Sequence, residues 1–449
     1  MECGHAMDQP LISNDYALDV AALAIAAAGR AGCQAAVSVS AGNGLSIAVR
    51  NGEVEVLEQQ RDKTLSVTVY QGRRKGSATT TDFARAAVED TVSAAVRIAA
   101  AAEPDPYAGL VDPATLALEY PDLDLDHPWS LEAADAIELA LEAEAAARDA
   151  HAEVQQVDEA AVSRYAGLRA YADSQGFRGA YRATRHGLSC TVVGARAGAM
   201  QRGYWFTTAR HAAELEAPAD IGRLATQRAI AKLGARKITT RKAPVIFENR
   251  IATGLIGQLV AAVSGSNLYR EASFLRGAAG TQIFPDFLSI DEQPHVPRGL
   301  GSAPFDSEGG STRARPLVAA GVLNGYVLDG YSARRLGLAP TGHAGGVHNL
   351  RVSDQGQDLA ALLRQMDTGL LVTDLMGFGV NLLTGDYSRG ASGFWVERGE
   401  ICFPVEEITI AGNLRDMFRT LVASGNDLER RGSVHCGSLL LAQMTLAGD

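Results

Sequence analysis

Asn51-Gly52 is the dipeptide that most narrows the folds open to this chain. It supplies the two positive-φ positions of a type I′ hairpin turn. It also stands inside "LSIAVRNGEVEVLEQQRDKTLSVTVY" (45–70), where apolar and polar residues alternate. An antiparallel pair of strands is therefore expected on either side of it. Period two returns from about 155 to 210, broken by glycines where turns or bulges fit. Between and around these stretches the spacing changes to that of helices: 16–31, then "FARAAVEDTVSAAVRIAAAA" behind the capping oxygens of Thr81 and Asp82, then 131–150 behind Ser130, then 218–233. Grouped strands and helices of this kind predict an α+β fold, with an N-terminal α/β domain of antiparallel strands and flanking helices, rather than a parallel βαβ array.

Composition shifts near 235–243, where "GARKITTRK" reads as a solvated linker, so domains are expected at 1–238 and 239–449. Downstream the chain is rich in glycine and strand-like runs, with "NLRDMFRTLVAS" (413–424) as the remaining clear helix. The C-terminal domain is expected to be mainly antiparallel β. No internal repeat is visible.

A formal net charge of −11 argues against a broad nucleic-acid footprint, which requires a basic face. Five cysteines without a CxxC pair suit free thiols in a reducing compartment. No apolar run approaches the roughly 20 residues of a bilayer span, and the N-terminus lacks the basic flank of a signal peptide. A cytoplasmic protein with no membrane or nucleic-acid partner is the expectation.

Four segments carry groups capable of chemistry. His343 and His348, in "TGHAGGVHNLRV", stand five apart among glycines, whereas a zinc peptidase usually places both ligands on one helical face beside a glutamate. In a strand the two would point to opposite faces, so a peptide-binding or structural loop is favoured over a metal site, with Arg351 available for a carboxylate. Asp306 and Glu308, in "APFDSEGGST", would share a face if extended and could act as acid and base; a capped loop is the plainer reading. His435 and Cys436 are neighbours that would point apart in a strand, which disfavours a direct nucleophile pair. The run "GLIGQLVAAVSGS" (254–266) lacks a phosphate-loop ending and reads as a packed helix.

Taken in order, "APVIFENRIATGLIGQLV", "SGSNLYREASF", "QIFPDFLSIDEQPH", "APFDSEGGST", "DGYSARRLGLAPTGHAGGVHNLRV" and "HCGSLLLAQMTLAG" resemble the TldD/PmbA family on its PmbA (TldE) branch. The resemblance implies a cytoplasmic hydrolase system in which TldD-type and PmbA-type chains associate and proteolyse unstructured peptides, including peptide-antibiotic maturation and antitoxin turnover. TldD-type chains carry H-E-x-x-x-H on a helix and a later cysteine ligand. The segment in register here is Gly257-Gln258-Leu259-Val260-Ala261-Ala262, without either histidine or the glutamate, and Cys436 in the position of the cysteine is one ligand where about three are needed. The resemblance thus implies no catalytic residue and no metal on this chain, zinc on a TldD-type partner in a heterodimer, and a role in shaping the chamber and peptide entry. Asp306, Glu308, His343, His348, Arg351 and Cys436 are the channel candidates. A homodimer, a regulatory gyrase-binding protein without peptidase role, and a self-sufficient hydrolase using Cys436 or the Asp306/Glu308 pair are the alternatives.

Overall fold

The structure is a computed structural model and describes residues 12–448; Cys3 and the extreme N-terminus considered above lie outside the described residues. Six strands form the first sheet: β1 (Gln34–Arg50), β2 (Glu53–Gln71), β3 (Arg74–Thr80), β4 (Val154–Asp173), β5 (Arg178–Arg196) and β6 (Ala199–Ala209). Their order is β3-β2-β1-β4-β5-β6 and every pairing is antiparallel. The turn between β1 and β2 has Asn51 at φ 55 and Gly52 at φ 78, as the dipeptide predicts.

Helices α1 (Asn14–Arg30), α2 (Arg85–Ala101), α3 (Ala133–Asp149) and α4 (Pro218–Ala231) cover one face of this sheet. Ala35, Val37 and Val39 of β1 pack in a cluster with α1 and α2, and Leu45 and Ile47 in a second cluster with α3 and α4. All five are odd-numbered positions of one strand and so share a face. The even-numbered Ser38 and Ser40 look the other way, towards the C-terminal half.

That half is built on β7 (Arg241–Phe247) and α5 (Asn249–Ala262), followed by β8 (Ile290–Gln293), β9 (Arg315–Ala319), β10 (Val322–Leu323) and β11 (Asn349–Val352). The last four, with residues 434–435, make a five-stranded sheet in the order β10-β9-β8-β11-(434–435). Strands 369–376, β7, 439–447, 400–413 and 386–397 pair in sequence, and 386–397 pairs back onto 369–376, closing a barrel. Most pairings are antiparallel, which makes the C-terminal half mainly antiparallel β as expected; β7 with 369–376 is parallel. The expected helix over 413–424 is shorter: it spans Leu414–Arg419, and Leu421–Ser424 is a strand whose Leu421 pairs Leu441. Pairing with a buried strand outweighs local helix propensity in those four residues.

Candidate functional site

Strand β8 alternates buried and exposed residues, and its second inward position after Ile290 is Glu292, a fully buried carboxylate. A charge in that position must be hydrogen-bonded. β9 supplies the first partner, because Arg315 is directly opposite Glu292 in the register and its Nε donates to Oε2 at 3.1 Å. The loop before β11 supplies the rest: His343 Nε2 donates to Oε2 at 2.6 Å, and His348 gives its main-chain N–H at 2.8 Å and Nδ1 at 3.1 Å to Oε1. Burial alone would push the Glu292 carboxyl up, but the bonds from the two imidazoles hold it well below the usual carboxylate range.

The two histidines meet because the backbone between them is not a strand. Gly345 and Gly346 take φ 104 and 114, and Gly346 N–H donates to His343 O at 3.0 Å, which folds the segment into a turn and brings the rings to 5.5 Å. Asp306 fastens the same turn from the other side. Its buried carboxylate accepts from the N–H groups of Glu308 at 2.9 Å, Gly310 at 2.7 Å and Ala344 at 3.0 Å.

Glu292, His343 and His348 are the one trio among the described residues whose donor atoms all lie within 4.8 Å of one another with the composition of a metal centre. Their arrangement does not fit zinc. Two atoms on one tetrahedral zinc, bonded at about 2.0–2.2 Å, stand roughly 3.3–3.6 Å apart; His343 Nε2 and Glu292 Oε2 are 2.6 Å apart, a charge-assisted hydrogen bond. The Arg315 guanidinium, 3.4 Å from His343 Nε2, already neutralises the carboxylate where a cation would sit. The trio is an anchor for the turn.

The other candidates are dispersed. Glu308 stays near Asp306 but is bonded elsewhere, accepting from Gly330 N–H at 2.8 Å, and burial, with Asp306 and Asp329 adding to it, pushes its carboxyl up to about 7. Arg351 is exposed on β11, opposite Asp291 and beside His435, and outside the cleft described below. Cys436 is fully buried in the C-terminal core, its Sγ donating to Gly437 O at 3.2 Å, and burial drives its thiol far up. Gly257 and Gln258 are half-buried on α5 and Ala262 is buried; none of the three offers a ligand to a metal.

The anchored turn forms one wall of a cleft of about 760 Å³. The opposite wall is the uncovered face of the first sheet, where Ser38, Ser40, Tyr165, Arg169, Tyr181 and Arg185 line the space. Arg210 ties the walls together, donating to Thr184 O at 2.8 Å and Leu300 O at 2.9 Å. Sequence reading missed Glu292, Arg315 and these sheet residues. The available signal for Glu292 was its parity, since Leu288, Ile290 and Glu292 fall on one inward face.

Family models of PmbA/TldA metallopeptidase domains match residues 35–99 (domain 1), 126–233 (central domain) and 240–448 (C-terminal domain). The chain is 48% identical to Metalloprotease PmbA of Escherichia coli O157:H7, covering 92% of each chain, and 44% identical to a Metalloprotease PmbA homolog of Haemophilus influenzae, covering 95% of each. A crystal structure of a putative modulator of DNA gyrase from Bacteroides thetaiotaomicron superposes with a TM-score of 0.91 at 28% identity, covering 96% of this chain and 98% of that one. TldE from Thermococcus kodakarensis shares the fold with a TM-score of 0.81 at 20% identity, over 92% of this chain and 97% of that one. With its three domains matched in order and nearly half its residues identical to a full-length relative, the chain belongs to the PmbA/TldD metallopeptidase family.

Proposed function

We propose that this chain is the PmbA-type subunit of a peptidase complex, receiving unstructured peptide in its cleft while a TldD-type partner supplies the zinc. The observation that carries the reading is the cleft itself. It encloses about 760 Å³, walled by hydroxyls, arginines and the glycine turn, and the trio of metal-type donors beside it is spent on hydrogen bonds. Glycines at 345 and 346 let a peptide main chain approach closely. The donor set of a zinc peptidase, three protein ligands with an open fourth position, is missing from α5, so water activation falls to the partner.

The test is hydrolysis of an unstructured peptide by three samples: this chain alone, a TldD-type chain alone, and the mixture. Cleavage that needs both chains and is stopped by a chelator supports the proposal. Chelator-sensitive cleavage by this chain alone refutes it. Binding of gyrase with no effect on any peptidase would favour a regulatory protein instead.

A further inference from the structure

The cleft has a chemical preference written into its sheet wall. On β4 and β5, Tyr165 is paired with Arg185, Gly167 with Ala183 and Arg169 with Tyr181, so the residues of these three rungs share one face. Gly42 of β1 pairs Gly167, and the Tyr165 ring lies flat across both: a Cβ on Gly42 would stand 2.3 Å from its Oη, and one on Gly167 2.7 Å from its Cε1. An aromatic floor results, with Arg185 on the rung of Tyr165 itself and Arg169 on the rung after Gly167. The offset of Arg169 from Arg185 is roughly 13 Å along the strands, at about 3.3 Å per residue.

Among the described residues neither arginine is ion-paired. Arg185 donates from Nε to Thr208 Oγ1 at 3.3 Å, and Arg169 makes no hydrogen bond. Arg210, deeper in the cleft, is spent on carbonyls. The single carboxylate lining the space, Asp306, is capped by three N–H groups; Asp62, across from Gly42 on β2, is outside the lining but close enough to the Tyr165 hydroxyl to act on it, so one carboxylate stands at the edge against the two arginines. A chain with 52 acidic and 41 basic residues has thus placed an excess of positive charge in this cleft.

From this we infer that the cleft selects acidic peptide: an extended segment whose carboxylates engage Arg169 and Arg185 across the Tyr165 ring. In an extended chain, side chains two apart share a face and those four apart lie about 13 Å from each other, the offset of the two arginines. The inference rests on the reading that the cleft receives peptide.

The test uses the full chain and three rhodamine-labelled unstructured peptides of equal length with amidated C-termini, carrying Glu, Gln or Lys at alternate positions, read by fluorescence anisotropy. The Glu peptide is expected to bind about tenfold more tightly than the Gln peptide and the Lys peptide more weakly than either, an order that shrinks as salt screens the charges. In R169Q/R185Q the Glu peptide should fall to the level of the Gln peptide. Equal binding of Glu and Gln peptides, or a Glu advantage that survives R169Q/R185Q, overturns acidic selection while leaving a peptide cleft in place. Absence of binding by every peptide removes the peptide cleft as well. A Gln peptide with a free C-terminus completes the set: if it alone gains affinity and loses it in R169Q/R185Q, the site reads a terminal carboxylate and selection of acidic side chains is refuted.

Discussion

His343 Nε2 lies 2.6 Å from Glu292 Oε2, and Arg315, directly opposite Glu292 on the neighbouring strand, donates to the same oxygen at 3.1 Å. One buried anion thereby holds a strand pair and a glycine turn in register. Because Glu292 is fully buried and Arg315 about a quarter exposed, Glu292→Gln would leave a largely enclosed guanidinium without its counter-charge. The expected loss is about 3–4 kcal/mol, the lower part of the range for breaking a buried pair. Urea unfolding of the variant against the parent chain measures it; a midpoint within error of the parent would show that the cluster anchors nothing.

The same geometry sets an expectation for metal. Elemental analysis of the chain, purified alone and without a metal-binding tag, should give zinc far below one atom per chain. One zinc per chain, lost on His343→Ala, would mean that Arg315 swings aside and the trio rearranges into a real centre.

Two carboxyls make opposite contributions to stability as pH changes. Glu292 is held below its ordinary value, so its contribution is complete above about pH 4.3 and is lost as pH falls through its depressed folded value. Glu308 is raised to about 7, so in the folded state it keeps a proton that the unfolded chain has released. Its contribution is complete below about pH 4.3 and lost as pH rises through about 7. Glu308→Gln keeps an acceptor for Gly330 N–H and removes the titration. Its urea midpoint at pH 8 should therefore rise, by a free energy on the order of 1–3 kcal/mol, with no gain at pH 4. Equal shifts at both pH values would show that burial does not perturb Glu308.

A cysteine hydrolase would need an accessible thiolate. Among the described cysteines Cys402 is exposed and Cys33, Cys190 and Cys436 are buried, with burial pushing the Cys190 thiol up to about 12 and that of Cys436 further. Native-state maleimide labelling followed by peptide mapping should mark Cys402 and spare the three buried thiols. Rapid labelling of Cys436 would reopen the nucleophile reading.

Local pattern revealed the first sheet because its signals are local: a positive-φ dipeptide, alternation over long strands, and helices with apolar stripes. The short helix Gly330–Leu336 escaped notice although Asp329 and Ser332 form a capping box and Gly337 closes it at φ 67, since seven residues give too little periodicity. The site was less legible still. Glu292, Arg315 and His343 come together through strand register and a glycine turn, neither of which leaves a spacing rule in the sequence, and His343 and His348 point apart only on an extended backbone, which Gly345 and Gly346 replace with a turn. Tyr165, Arg169 and Arg185 sit on an alternating stretch whose solvent-side residues look ordinary until the second wall of the cleft is placed over them.

The aromatic floor can be tested without touching an arginine. Gly42→Ala puts a methyl group where the Tyr165 ring lies, but that ring is the end of a side chain 42% exposed, so it can lift away at little cost to the fold. Stability should change by less than about 1 kcal/mol, while affinity for extended acidic peptide falls several-fold because the platform between Arg169 and Arg185 has moved. Tyr165→Ala should produce a comparable loss. If Gly42 acts through the ring, the double variant Gly42→Ala/Tyr165→Ala binds no more weakly than Tyr165→Ala alone, a non-additivity that two independent effects would not give. Additive losses in anisotropy titrations would show that Gly42 matters for some reason other than seating Tyr165.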